Sequence, residues 1–180
     1  MRLFVCIEMP DEVINEIVRI QNLLQKEELF VGSYPRRDQM HLTLQFIGDI
    51  PEDLVPKVHT ALQQVIAFPF QVRLGNLDVF YSGSHIKVIF AHLIAKELQS
   101  LAAQINTVLR ELVVPEKRSF VPHLTVARVK EVDNIRTLVT TVNQTKVQPI
   151  TFTIDSFVLK QSLLGEQCAT HTTLYMYELH

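Results

Sequence analysis

The sequence predicts an α+β fold of two pseudo-symmetric lobes, with two antiparallel sheets lining a central cleft and helices on the outside. Three observations predict it. Apolar patterns of helical and strand period alternate along all 180 residues. The tetrapeptide His41-Leu42-Thr43-Leu44 returns nearly half a chain later as His123-Leu124-Thr125-Val126. Each copy opens the same order of elements, a motif strand, a helix and then two strands, as a duplicated unit would. With 47% hydrophobic residues the chain can bury the core of one domain spanning residues 1–180.

Taken in order, Arg2-Leu3-Phe4-Val5-Cys6-Ile7 reads as a buried strand that stops at Glu8, Pro10 and Asp11. From Asp11 to Leu29, Val13, Ile17, Ile20 and Leu24 repeat at helical spacing, and a polar loop from Gly32 to Gln39 follows. The β-forming run His41 to Ile47 ends at Gly48-Asp49. Pro51-Glu52-Asp53 then opens a second helix with Leu54, Val58, Leu62 and Val65 on one face. Phe70 to Phe80 and His85 to Ala91 form an antiparallel hairpin through Tyr81-Ser82-Gly83-Ser84. A long helix from about Leu93 to Val113 carries Leu101, Ile105, Val108 and Leu112 until Pro115 ends it. The second half predicts a strand from His123 to Val129, a helix from Val132 to Val142, and strands from Pro149 to Lys160 and from His171 to Leu179.

Charge narrows the possible partners. Seventeen Lys and Arg against nineteen Asp and Glu leave a formal charge of −2, so no bulk positive field holds long nucleic acid, and any such contact is local, as at an end. Cys6 and Cys168 form no C-x-x-C pair, the N-terminus has no signal-peptide pattern, and no apolar run approaches the roughly 20 residues of a membrane helix. A reduced, cytoplasmic, monomeric protein is expected.

Side chains alternate along a strand, so His41 and Thr43 share one face while Leu42 and Leu44 share the other, and the same holds for His123 and Thr125. Two such strands in facing lobes bring two imidazoles and two hydroxyls to one cleft. That set suits in-line attack of water on a cyclic phosphodiester. One neutral imidazole takes a proton from water, the other supplies one to the leaving oxygen, and the hydroxyls donate to the non-bridging oxygens. A lone H-x-T carries little weight: His171-Thr172-Thr173-Leu174 fits it too, but without a following helix it reads as an ordinary strand histidine. His59, His85, His92 and His180 have no metal-ligand spacing, so neither metal nor other cofactor is expected.

Arg36 and Arg118 each lie five residues before a motif histidine, beside Arg37 and Lys117, and read either as contacts to an RNA backbone or as solvated loop charges. Arg128 and Phe46 each lie five residues after one. Strict alternation puts both on the face opposite the histidines. On that parity Phe46 packs in the core and Arg128 is structural, unless a bulge turns them into the cleft, where they become a phosphate clamp and a platform for a base.

These residues resemble the two-histidine phosphoesterases, and within them the RNA 2′,3′-cyclic phosphodiesterases first described as 2′-5′ RNA ligases. The resemblance runs from MRLFVCIEMP through MHLTLQFIGDI and RSFVPHLTVARV to the last strand, with Phe46-Ile47-Gly48 after the first motif and Pro122 before the second. It implies a bilobal α+β fold, no metal requirement, and hydrolysis of RNA or oligonucleotide 2′,3′-cyclic phosphate ends to a 2′-phosphate. It assigns His41 as proton donor to the leaving 3′-oxygen and His123 as proton acceptor from water. Thr43 and Thr125 hold the phosphate, and Arg128 matches the arginine of the family's second motif. Val121 and His171 depart from the family's usual basic and aromatic residues there, which touches substrate preference. Hydrolysis of another diester, such as a 2′-5′ linkage or a small cyclic nucleotide, and non-catalytic binding of RNA ends are the alternative readings.

Overall fold

The computed structural model describes residues 1–114, 119–164 and 169–180, so Pro115, Lys117, Arg118 and Cys168 lie outside the described residues. The elements run β1 (Arg2–Glu8), α1 (Asp11–Glu27), β2 (Phe30–Ser33), β3 (His41–Asp49), α2 (Val55–Leu62), β4 (Phe70–Ser82), β5 (His85–Ile94), α3 (Lys96–Leu109), β6 (His123–Val132), α4 (Ile135–Gln144), β7 (Thr151–Ile154), β8 (Ser156–Leu164) and β9 (Ala169–Glu178). Two antiparallel sheets result, one ordered β3-β1-β8-β9 and the other β2-β6-β5-β4-β7. The α+β class and the paired sheets agree with the sequence.

The halves are not the lobes. β4 and β5 follow the first motif strand in the chain but sit in the sheet of the second, while β8 and β9 follow the second and sit in the sheet of the first. The expected strand from Pro149 to Lys160 is therefore two strands. It breaks at Asp155, where the chain passes from the five-stranded sheet into the four-stranded one. The polar loop after α1 also holds more structure than expected. Phe30–Ser33 adds a short edge strand to β6, and Arg37–Gln39 makes one 3-10 turn. Leu93 and Ile94 belong to β5, and α3 starts at Lys96.

The apolar stripes do what their spacing requires. Val13, Ile17, Ile20 and Leu24 of α1 are buried, and α4 is capped by the Asn134 side chain, which accepts from the Thr137 N–H at 3.0 Å. α1 and α4 lie on the five-stranded sheet against β6 and β4, and α3 lies on β3 with α2 alongside. Leu42, Leu44, Leu124 and Val126, the aliphatic partners within the two motifs, all enter the main core. On the opposite, open face of the four-stranded sheet, Phe4, Cys6 and Val158 form a second small cluster. No helix among the described residues is long and apolar enough to cross a membrane.

Both motif strands carry an extra residue at the same place, just after the motif threonine. In β3, Thr43 faces Cys6 of β1 and Gln45 faces Val5, so Leu44 is bulged. In β6, Thr125 faces Phe90 of β5 and Ala127 faces Ile89, so Val126 is bulged. Each bulge shifts the strand's two-residue period by one. Beside the second, Gly32 of β2 leaves no room for a side chain, because a Cβ there would stand 2.1 Å from the Arg128 carbonyl oxygen. Gly32→Ala is expected to cost about 1–3 kcal/mol in urea unfolding because the backbone must move. At the β4–β5 turn Gly83→Ala meets nothing within 4 Å and is opposed only by its positive φ of 59°. A cost of about 1 kcal/mol or less is expected there.

Candidate active site

His41 is the first residue of β3, opposite Glu8, and His123 the first of β6, opposite His92. The two motif strands approach each other across the gap between the sheets. Their burial runs in step: histidine and threonine are half-buried, the residues between them buried, then two consecutive residues are buried, then one is exposed. The consecutive pairs are Leu44-Gln45 and Val126-Ala127, and the exposed residues are Phe46 and Arg128. The bulges thus answer the parity objection. Phe46 lies opposite Phe4, whose ring also stacks on His41, and the charge of Arg128 is felt at both motif histidines. The expectation that Phe46 packs in the core is corrected, since it is 58% exposed on the open face.

A residue that the sequence reading passed over holds the second bulge. Gln21 of α1 is buried and its Nε2 donates to the carbonyl of bulged Val126 at 3.0 Å and to that of Pro35 at 3.1 Å. An extra strand residue leaves its carbonyl without a ladder partner, and a buried amide supplies one. The signal was a lone glutamine within the apolar stripe of α1, between Ile20 and Leu24.

Each motif imidazole is set in a nest of rings and tied to the carbonyl two residues before it. His123 Nδ1–H donates to the Val121 carbonyl at 2.7 Å, which leaves Nε2 unprotonated in the neutral ring. The Phe80 and Phe90 rings stand 4.9 and 5.4 Å from it. His41 bonds the Gln39 backbone and stacks on Phe4 at 4.9 Å. Burial dominates the titration of both. It pushes His41 down to about 3, helped by the charges of His171, Lys160 and Arg128 and opposed by the Gln39 carbonyl. Burial also lowers His123, against the Val121 carbonyl, with Arg128 and His92 adding to the effect. Without a bound anion, both imidazoles are neutral near pH 7.

The remaining candidates divide. Thr43 and Thr125 stand half-buried beside their histidines on the open faces. The Arg36 guanidinium pairs with Asp38, Nη2 to Oδ2 at 2.8 Å, and its charge reaches His171. Arg37 turns the other way, to Asn15 Oδ1 at 2.8 Å and Asp11 on α1, so it braces the turn rather than facing the cleft. Arg118 and Lys117 lie outside the described residues. His171, expected to be an ordinary strand histidine, instead has its ring 5.5 Å from that of His41. His92 pairs with Asp78 at 3.2 Å next to His123, and His59 lies elsewhere, on Tyr175 and the Tyr177 hydroxyl. Among the described residues no three His, Cys, Asp or Glu side chains are grouped so as to hold a metal ion.

Two antiparallel sheets that each offer a histidine-threonine strand to a shared gap define a protein of the two-histidine type. The particular family follows from comparison: a profile of the 2′-5′ RNA ligase superfamily matches residues 9–166, and the chain belongs to that superfamily. It is 26% identical over 138 residues, 77% of either chain, to an RNA 2′,3′-cyclic phosphodiesterase of Methanocaldococcus jannaschii. It is 29% identical over 194 residues, covering 99% of this chain and 90% of the other, to the protein of the same name from Thermus thermophilus. A crystal structure from Thermus thermophilus, that of the protein TT0787, superposes with a TM-score of 0.81 at 26% identity, covering 99% of this chain and 98% of that one. Escherichia coli LigT in apo form shares the fold, with a TM-score of 0.76 at 19% identity over 99% and 96% of the two chains.

The depressed His41 makes folding depend on pH. Between about 3 and its ordinary 6.5 the unfolded chain binds a proton at this residue that the folded chain refuses, so its contribution to stability is complete above 6.5 and is lost as pH falls toward 3. Urea unfolding of the parent is expected to weaken steeply over that window. In His41→Gln the slope is expected to be shallower by about one proton, roughly 1.4 kcal/mol per pH unit.

Proposed function

We propose that this protein hydrolyses 2′,3′-cyclic phosphate ends of RNA to 2′-phosphates, with His41 as general acid and His123 as general base. One observation carries the reading: the paired motif strands meet across the gap with the Arg128 charge acting on both imidazoles. The relatives named RNA 2′,3′-cyclic phosphodiesterase supply the substrate class.

In this reaction water attacks phosphorus in line with the bond to the 3′-oxygen. His123, whose Nδ1–H is held by the Val121 carbonyl, takes the water proton at Nε2. The bond from phosphorus to the 3′-oxygen breaks, and the leaving oxygen takes its proton from His41. Thr43, Thr125 and Arg128 hold the non-bridging oxygens, where charge must be balanced as the geometry inverts. Phe46, exposed at the rim, offers its ring to the base. Exchange of the two protons with solvent resets the pair.

The acid needs a proton that the empty site disfavours, and the substrate provides the reason to take one. The anionic cyclic phosphate offsets the push of Arg128 and Lys160 on the His41 imidazolium. The site therefore charges when it is occupied.

An oligonucleotide ending in a 2′,3′-cyclic phosphate, incubated with the protein in EDTA, is expected to yield a 2′-phosphate end. An intact cyclic end would overturn the reading, and activity abolished by the chelator would indicate a metal-dependent reaction. His41→Ala and His123→Ala are each expected to lower kcat by at least about 100-fold. In NMR titrations, inorganic phosphate is expected to raise the His41 midpoint well above its value in the free protein.

A further inference from the structure

Three rings close a triangle at one corner of the four-stranded sheet. Phe4 and His41 stack at 4.9 Å, His171 meets Phe4 edge-on at 5.0 Å, and His171 meets His41 edge-on at 5.5 Å. Register alone would keep the two imidazoles apart. His41 faces Glu8 at one end of β1, while His171 faces Ser162 of β8, which faces Arg2 at the other end. The twist of the sheet brings the starts of β3 and β9 together on its open face. Gln39, two residues before His41, fastens them by donating from Nε2 to the carbonyl of Ala169, two residues before His171, at 2.8 Å.

The corner is poor in places for positive charge. β1 contributes Glu8, but its carboxylate is taken by Lys160 of β8, with Nζ to Oε1 at 2.5 Å. β1 also contributes the buried thiol of Cys6, which burial keeps protonated. The turn before β3 contributes Asp38, already bonded to Arg36, and β6 contributes the Arg128 charge. Burial, Lys160 and Arg36 act against a proton on His171 while Asp38 favours one, and burial, His171, Lys160 and Arg128 act against one on His41. The Nδ1 of His171 is buried without a hydrogen-bond partner among the described residues, so ring contacts hold this imidazole and no acceptor waits for a proton there. Two imidazolium ions in ring contact within such a corner repel each other, so a proton on His171 acts against one on His41.

We propose that His171 is a positioning residue for His41, holding its ring edge-on and competing with it for the single proton that this corner accepts. The acid role of His41 is that of the proposed function, on which this assignment rests. The third histidine thereby acts through the first, and protonation of the acid is tied to the charge at residue 171.

A charge series separates this role from packing. His171→Gln and His171→Lys, each checked for the parent's near-ultraviolet circular dichroism, are titrated by NMR with labelled histidine. The His41 signal is assigned by its loss in His41→Gln. His171→Arg stands in should the lysine variant fail to fold. The His41 midpoint is expected to rise by about one unit in the glutamine variant, which removes the charge of residue 171, and to stay close to the parent's in the lysine variant, which keeps it. In hydrolysis of the cyclic phosphate end, the alkaline limb of the kcat profile is expected to move to lower pH with lysine and not with glutamine. A midpoint unmoved in the glutamine variant, or raised alike in both variants, would overturn the proposal and leave His171 a packing residue. If the parent hydrolyses no cyclic phosphate, the proposed function fails, and the midpoints still decide the coupling of the two rings.

Discussion

A β-strand presents alternate residues to one face, yet the proposed site draws on the first, third and sixth residues of each motif strand. No regular strand can do this. The bulges at Leu44 and Val126 resolve the conflict by inserting one residue into each period, so that Phe46 and Arg128 join the histidines and threonines on the open faces. The aliphatic residues of both motifs still enter the core. Bulges have a cost in broken ladder bonds, and here Gln21 offsets part of it by donating to the Val126 carbonyl. A helix from the first half of the chain therefore steadies the strand that carries the second histidine.

A similar balance governs the histidines. Each is kept neutral in the empty site by burial among aromatic neighbours, while a backbone carbonyl two residues back fixes its orientation and partly opposes that lowering. Cations then gather round: Arg128 near both, and Lys160 near His41. Such an arrangement favours an anion over water, and the anion in turn permits the proton that acid catalysis needs.

Exchange of strands between the halves makes the two sheets interdependent. β8 and β9 complete the sheet of the first motif only after the second motif strand has been laid down, and the chain crosses between sheets within the single residue Asp155. Neither half of the chain holds a full lobe, so the gap between the motif strands forms only when both sheets are complete.

Much of this was legible in the residues themselves. Periodicity located the helices and most strands, because burial of one face imposes its period on any sequence that folds. The repeated H-x-T within a repeated order of elements singled out His41 and His123 over His171, and the adjacent threonines came with them. What the sequence could not determine is everything that depends on pairing between distant segments. Local spacing contains no sign of which sheet β4, β5, β8 and β9 join, and an extra residue in a strand is defined only by the partner that lacks one. For that reason Arg128 and Phe46 looked as if they faced the wrong way. His171 looked ordinary for the same reason: the twist that brings it to His41 belongs to the whole sheet. The sequence by itself determined which groups are candidates for the chemistry, because those are written as residue types; the tertiary structure alone decided which of them share a face, because a face is shared only across hydrogen-bonded neighbours.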